Sequence, residues 1–249
     1  MADGYDSAMT IFSPDGHLWQ VQYAQEAVRR GSLVIAIRTQ DCIVLGVEKR
    51  YMGQLQEEIT VHKICPVGDN IAIAFAGLTA DARVLINRAR VECQSHKLNI
   101  DQHPTVSYIS RFIAELKKSY TQGSGRRPFG VCCLVSGFDE NGTARLFQTE
   151  PSGNFYEFSA CAIGRNSEAV FEQLEKAGSA PTADEQSAIT WTIRLLISVG
   201  LLNRDSIDLA VLKFNQPLRL LDTKTLVDHV ARVQREIEEE GRTHQRLNI

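Results

Sequence analysis

The apolar positions of this chain switch between two rhythms. After Gly31 come four short runs, Leu33 to Ile37, Cys42 to Val47, His62 to Val67 and Ile71 to Ala76, rich in β-branched residues and broken by Gln40-Asp41 and Gly68-Asp69-Asn70. Runs of this kind between turn residues predict strands, here joined as an antiparallel meander. From Gly77 the spacing lengthens to that of a helix, with Thr79 as the expected N-cap and Ala82, Leu85, Ile86, Ala89 and Cys93 on its inner face. Beyond Pro104 a second helix carries Val106, Ile109, Phe112, Ile113, Leu116 and Tyr120 on one side.

The theme then repeats. Strands are predicted at Phe129 to Phe138, Ala144 to Thr149, Phe155 to Phe158 and Ala160 to Ile163, and helices from Ser167 and from Ala183. A strand at Ile207 to Lys213, a short one near Leu218 to Leu221, and a last helix with Leu226, Val230, Val233 and Ile237 complete the chain. Strand block, helix pair, strand block, helix pair implies an α+β fold with two sheets face to face and helices outside, a four-layer α-β-β-α sandwich. Asn141-Gly142 reads as a hairpin turn.

Ahead of this core, Ser13-Pro14-Asp15-Gly16 is turn chemistry that ends an extended leader. Leu18, Val21, Ala24 and Val28 then recur at helical spacing, and Arg29-Arg30-Gly31 supplies a cationic last turn and a stop. Tyr5, Phe12, Trp19 and Tyr23 place much aromatic surface in and beside the leader, which favours a docking or gating segment over a floppy tail. The expected organisation is one domain over 1–249: a leader at 1–12, a helix at 17–30, and the sandwich with its last helix at 31–240.

Composition narrows the functional classes. A net charge of −3 with two isolated arginine pairs, Arg29-Arg30 and Arg126-Arg127, offers no basic footprint, so nucleic acid is not an expected partner. No run approaches the roughly 20 apolar residues that span a bilayer, and no secretory signal opens the chain, so a soluble protein inside the cell is expected. The six cysteines show no CxxC spacing, and neither a metal nor a cofactor is expected; they read as small buried hydrophobes. Cys132 and Cys133 are neighbours on one predicted strand and should face opposite sides.

No Gly-x-Ser-x-Gly elbow occurs, and Gly123-Ser124-Gly125-Arg126-Arg127-Pro128-Phe129-Gly130 carries proline and phenylalanine where a phosphate loop needs helix-opening residues.

The segment Tyr5-Asp6-Ser7-Ala8-Met9-Thr10-Ile11-Phe12-Ser13-Pro14-Asp15-Gly16, followed by Gln20-Val21-Gln22-Tyr23-Ala24, closely resembles the N-terminal signature of proteasome alpha subunits. Tyr120, Thr121, Gln122, Gly125, Arg127, Pro128 and Gly130 resemble a further loop of that family, which implies an alpha-ring contact for Tyr120, Arg127 and Pro128. The resemblance spans roughly residues 5 to 240 and implies the N-terminal-nucleophile hydrolase fold. Leu78 to Arg83 and Asn87 to His96 resemble in particular the subtype at the fourth position of the eukaryotic alpha ring. The lysine-rich tail of its animal members is replaced here by Glu236-Ile237-Glu238-Glu239-Glu240-Gly241-Arg242.

Catalytic beta subunits of that family attack with a threonine freed after a glycine, and Gly31-Ser32, Glu48 and Lys63 resemble the corresponding junction, acid and lysine. The chemistry needs a free α-amine as base, whereas Ser32 lies mid-chain behind a signature that alpha subunits retain. The resemblance therefore implies a non-catalytic structural and gating subunit of the outer ring of the 20S core particle, acting in ubiquitin-dependent degradation. Its implied partners are the other alpha subunits of a seven-membered ring, beta-ring subunits and activator particles, in cytoplasm and nucleus. Lys63, Gly31 and Leu78 match the pocket that receives an activator's C-terminal tail, and Tyr5, Asp6, Pro14 and Tyr23 match the gate cluster. Two other readings stay open at this point, an active N-terminal-nucleophile hydrolase and a stand-alone α/β binding module.

Overall fold

The computed structural model describes residues 10–49, 62–123, 125–177, 184–200 and 207–247. Two five-stranded antiparallel sheets form its centre. The first contains β1 (Val34–Arg38), β2 (Cys42–Glu48), β8 (Ala160–Ile163), β9 (Ile207–Lys213) and β10 (Arg219–Leu220), in the order β10-β9-β2-β1-β8. The second contains β3 (Ile64–Pro66), β4 (Ile71–Gly77), β5 (Val131–Phe138), β6 (Ala144–Thr149) and β7 (Phe155–Glu157), in that order.

The expected four layers are present, and side-chain parity shows why. Along β1, Val34 and Ala36 face the other sheet, while Leu33, Ile35 and Ile37 pack outward against helices. A strand buried on both faces is apolar throughout rather than alternating, and β2, β4 and β5 follow that rule. The layer between the sheets is rich in small residues, Ala36, Ala72, Ala74, Ala76, Cys132 and Cys161. Cys132 lies there and Cys133 lies on the helix side, as the two-residue period demands. Helices α2 (Thr79–Ile100) and α3 (Val106–Gln122) cover the second sheet, and α4 (Ser167–Ala177), α5 (Glu185–Ser198) and α6 (Thr223–Leu247) cover the first.

Some expectations need correction. The four early strands are not one meander: β1–β2 and β3–β4 are separate hairpins in different sheets. Thr79 is the first helical residue of α2, not its cap; extended Leu78 holds that position with no side-chain bond, its N–H donated to Gly130 O at 2.9 Å. Arg29-Arg30-Gly31 does end α1 (Trp19–Arg29), with Arg30 as the C-cap in right-handed geometry. Ala183 falls outside the described residues, and α5 is described from Glu185.

The turns match. Gly16 (φ +79°) gives its N–H to Ser13 O, and Gly142 (φ +78°) closes the β5–β6 hairpin onto Asp139 O. Helix α1 lies against one end of the sandwich, with Val28 in the layer between the sheets and Ala27 beside Gly130. No described helix is long and apolar enough to cross a membrane.

Candidate functional site

That same end of the sandwich gathers most of the singled-out residues. Three glycines let backbones meet there. A Cβ on Gly31 would stand 2.4 Å from Gly77 N, one on Gly77 would stand 2.2 Å from Gly130 O, and one on Gly164 would stand 2.3 Å from Ser32 O. Gly77 and Gly164 also hold positive φ, +115° and +94°. The close-approach role read for Gly31 is thus filled inside the chain, by the backbone of Gly77.

Ser32 follows Gly31 into this knot and is almost fully buried. Its Oγ accepts a hydrogen bond from Lys63 Nζ at 2.9 Å, and the same ammonium lies 5.8 Å from the ring centre of Phe75. Glu48, at the end of β2, is 2 % exposed and serves as a hub. It accepts from Leu33 N–H at 3.1 Å and from Arg165 Nε at 2.9 Å, and Arg165 Nη2 bonds its other oxygen. Arg165 N–H in turn donates to Gly31 O at 3.0 Å, so one arginine ties the loop after β8 to both strands. Leu78, next to Gly77, is 46 % exposed and carries its side chain over Gly130. Lys63, Ser32, Gly31, Gly77 and Leu78 therefore form one contiguous cluster.

The gate cluster is only partly described: Tyr5 and Asp6 lie outside the described residues. Pro14 sits exposed in the turn before α1, and Tyr23 stands exposed on α1 with its ring stacked on Trp19 at 6.3 Å. Ile11 and Phe12 also present their side chains to solvent.

The loop expected to make a ring contact has a full set of contacts within the chain. Arg127 forks onto Asp81 of α2 through Nη1 and Nη2, at 2.6 and 2.8 Å, and Gly130 N–H donates to the same carboxylate at 3.0 Å. Burial pushes the Asp81 carboxyl up, but the bonds from Arg127 and Gly130 outweigh it and hold the group below the ordinary carboxylate range. Tyr120 packs on Phe129 at 4.4 Å, with the Arg126 guanidinium 4.9 Å from its ring centre. Pro128 contributes its carbonyl to Arg127.

Sequence reasoning missed Arg165 and Asp81. A signal existed for each: Gly164-Arg165 directly after an apolar strand, and an acid in the first turn of a helix. What was hidden is the pairing, across sequence separations of 117 and 46 residues.

In the described chain the Ser32 nitrogen is a peptide amide, whereas an N-terminal nucleophile needs that nitrogen as a free amine. Burial pushes the Cys93 and Cys132 thiols up to about 12, which keeps these two protonated near neutral pH. Among the described residues no group of His, Cys, Asp and Glu is arranged to hold a metal. Among the described residues a groove of about 940 Å³ opens between the edge strands β3 and β10, and a cavity of about 230 Å³ lies beneath α1 beside Gly164. Lys63, Ser32 and Leu78 line neither.

Two family patterns match this architecture. Residues 28–212 match the proteasome subunit family, and residues 5–27 match the N-terminal signature of its A-type subunits. The chain belongs to the proteasome subunit family and to its alpha-type branch. It is 54 % identical over 248 residues to the Drosophila melanogaster proteasome subunit alpha type-7-1B, covering 99 % of this chain and 98 % of that one. It is 50 % identical over 244 residues to the Mus musculus proteasome subunit alpha type-8, with 98 % of each covered. A Macaca fascicularis proteasome subunit alpha type-7-like is 49 % identical over the full length of both. Type 7 is the subtype that the stretch from Leu78 to His96 resembles.

Proposed function

We propose that this chain is a non-catalytic subunit of the outer alpha ring of the 20S core particle, at the fourth position. There it controls substrate entry with its leader and docks activator tails beside Lys63. The observation that carries this reading is the contiguity of Lys63, Gly31 and Leu78 at the sandwich end from which α1 and the leader depart. An ammonium attracts a terminal carboxylate, and an exposed leucine covers the adjoining apolar side chain. A pocket between subunits needs a second wall, which a ring neighbour supplies. Other alpha subunits, beta-ring subunits and activator particles are the partners this role requires, in cytoplasm and nucleus, within ubiquitin-dependent degradation.

Gating by the leader is tested in the assembled particle. Tyr5, Asp6, Pro14 and Tyr23 are assigned to holding the leader in its open arrangement, a balance between two packings in which a contact of about 1 kcal/mol shifts populations about fivefold. Tyr5→Ala is expected to lower activator-stimulated peptide hydrolysis. Deletion of residues 1–12 is expected to raise the basal rate modestly, because six other leaders remain. Equal stimulated-to-basal ratios in wild type and both variants would make the leader a passive docking strand.

A further inference from the structure

We propose that the groove of about 940 Å³ between β3 and β10 binds a small amphipathic carboxylic acid, with its apolar body between the two sheets and its carboxylate at Arg90. Neither Lys63 nor Leu78 lines this groove, and the inference does not depend on the gating role.

The apolar half of the site is the interior of the sandwich itself. Ile64 of β3 and Leu212 of β9 belong to the layer between the sheets, and Leu218 packs against that layer. All three line the groove, so at this edge the layer opens to a ligand. Leu220 of β10, 49 % exposed, stands on the same wall as Leu218. A cavity of this size, with apolar walls and a few convergent polar groups, suits a small molecule.

The charged and imidazole groups come from the side of the second sheet: His62, Asp69, Arg90 and His103. Arg90 Nε donates to Pro66 O at 3.0 Å, and its Nη1 donates to Asn87 Oδ1 at 3.4 Å. These two bonds pin the guanidinium beside β3 and leave Nη2 without a partner among the described residues. A guanidinium keeps its charge and presents a fork that matches a carboxylate. The one carboxylate among the described lining residues is Asp69, which is engaged by Lys97 Nζ at 3.0 Å. His103 lies behind it, with Nδ1 at 3.8 Å from Asp69 Oδ2. The cation of Arg90 is thus the charge that the groove has to offer a ligand.

An extended peptide fits the same groove less well. Strand addition needs a run of free backbone donors and acceptors on a sheet edge. Pro66 has no N–H and its carbonyl is taken by Arg90, while β10 spans only two residues.

The test uses assembled particles and dodecanoic acid carrying a photoreactive diazirine at its far end, with the methyl ester as the uncharged counterpart. Labelled residues in this subunit are mapped by peptide mass spectrometry. Wild type should show saturable labelling within residues 62–71 or 212–220, with the acid preferred over the ester. Arg90→Gln should lower acid labelling about threefold to tenfold and leave ester labelling in place. Arg90→Lys, which keeps the charge without the fork, should retain part of the preference. Leu220→Trp should lower labelling by both probes, because it fills the groove from the opposite wall. If Arg90→Gln particles are not recovered, the acid-against-ester comparison in wild type and Leu220→Trp decide the matter.

Labelling that does not saturate, or that falls outside the two segments, would overturn the inference. Equal labelling by acid and ester in wild type would do so as well. A parallel loss of both probes in Arg90→Gln would mark Arg90 as a brace for β3 only. No labelling of this subunit in assembled particles would show that another chain covers the groove, which also contradicts the proposal.

Discussion

Gly77→Ala is expected to exclude the chain from assembled particles when it competes with wild type for incorporation. Gly77 has φ +115°, a region in which L side chains are strained, and its added methyl would lie 2.2 Å from Gly130 O and 3.0 Å from Val131 Cα. Both obstacles are backbone, so no side chain can turn aside. The shift needed would break the 2.9 Å bond from Leu78 N–H to Gly130 O and part Gly77 from Gly31. A cost of about 4 kcal/mol or more places the variant in the rare severe class. Gly200→Ala is the control, because Gly200 also has positive φ, +87°, but no described residue stands within 4 Å of the new methyl. It should cost about 1 kcal/mol and incorporate. Equal incorporation of the two variants would mean that the close approach at Gly77 is not what holds this end of the sandwich.

The second large effect is expected at Glu48. Glu48→Ala removes the acceptor of buried Leu33 N–H and the partner of Arg165 together. Breaking a buried pair costs about 3–5 kcal/mol, and because the Arg165 side chain is 42 % exposed, part of its charge returns to water and about 2–4 kcal/mol is expected. Glu48→Gln keeps one acceptor oxygen and should fall between alanine and wild type. Thermal release of the subunit from purified particles would order the three. A Glu48→Ala particle as stable as wild type would show that the loop carrying Arg165 is held by other contacts.

Elements were more legible in the sequence than their pairings. Each sandwich strand announced itself as a short apolar run between turn residues, and β9 matches its expected bounds, Ile207–Lys213. The assignment of strands to sheets was not legible. When strands are apolar on both faces the pattern carries no mark of which sheet they join, so β1–β2 and β3–β4 read as one meander. Hydrophobic counting also misplaced the centre of α3. Phe112, Leu116 and Tyr120 lie at the margin of its buried face, while Lys117 is fully buried, with its ammonium on Thr149 O at 2.8 Å. A long stem that reaches a strand carbonyl is invisible to an apolar stripe.

The candidate site divides in the same way. Gly31, Ser32, Glu48, Lys63 and Leu78 were singled out by resemblance and meet at one end of the molecule. Arg165 and Asp81, which lock that end, became visible only when distant segments were brought together. Arg127, read as a contact to a ring neighbour, also forks onto Asp81 of the same chain while its side chain stays 60 % exposed, a pairing that the resemblance did not bring out.

Native mass spectrometry of the chain purified from its own cells, followed by intact mass after dissociation, tests the central claim most directly. The expected result is an assembly many times heavier than the 27.8 kDa chain, releasing a subunit that still carries the segment before Ser32. A mature chain beginning at Ser32 would make it an N-terminal-nucleophile enzyme, and a chain found only by itself would remove it from the ring; either result would contradict a non-catalytic gating subunit.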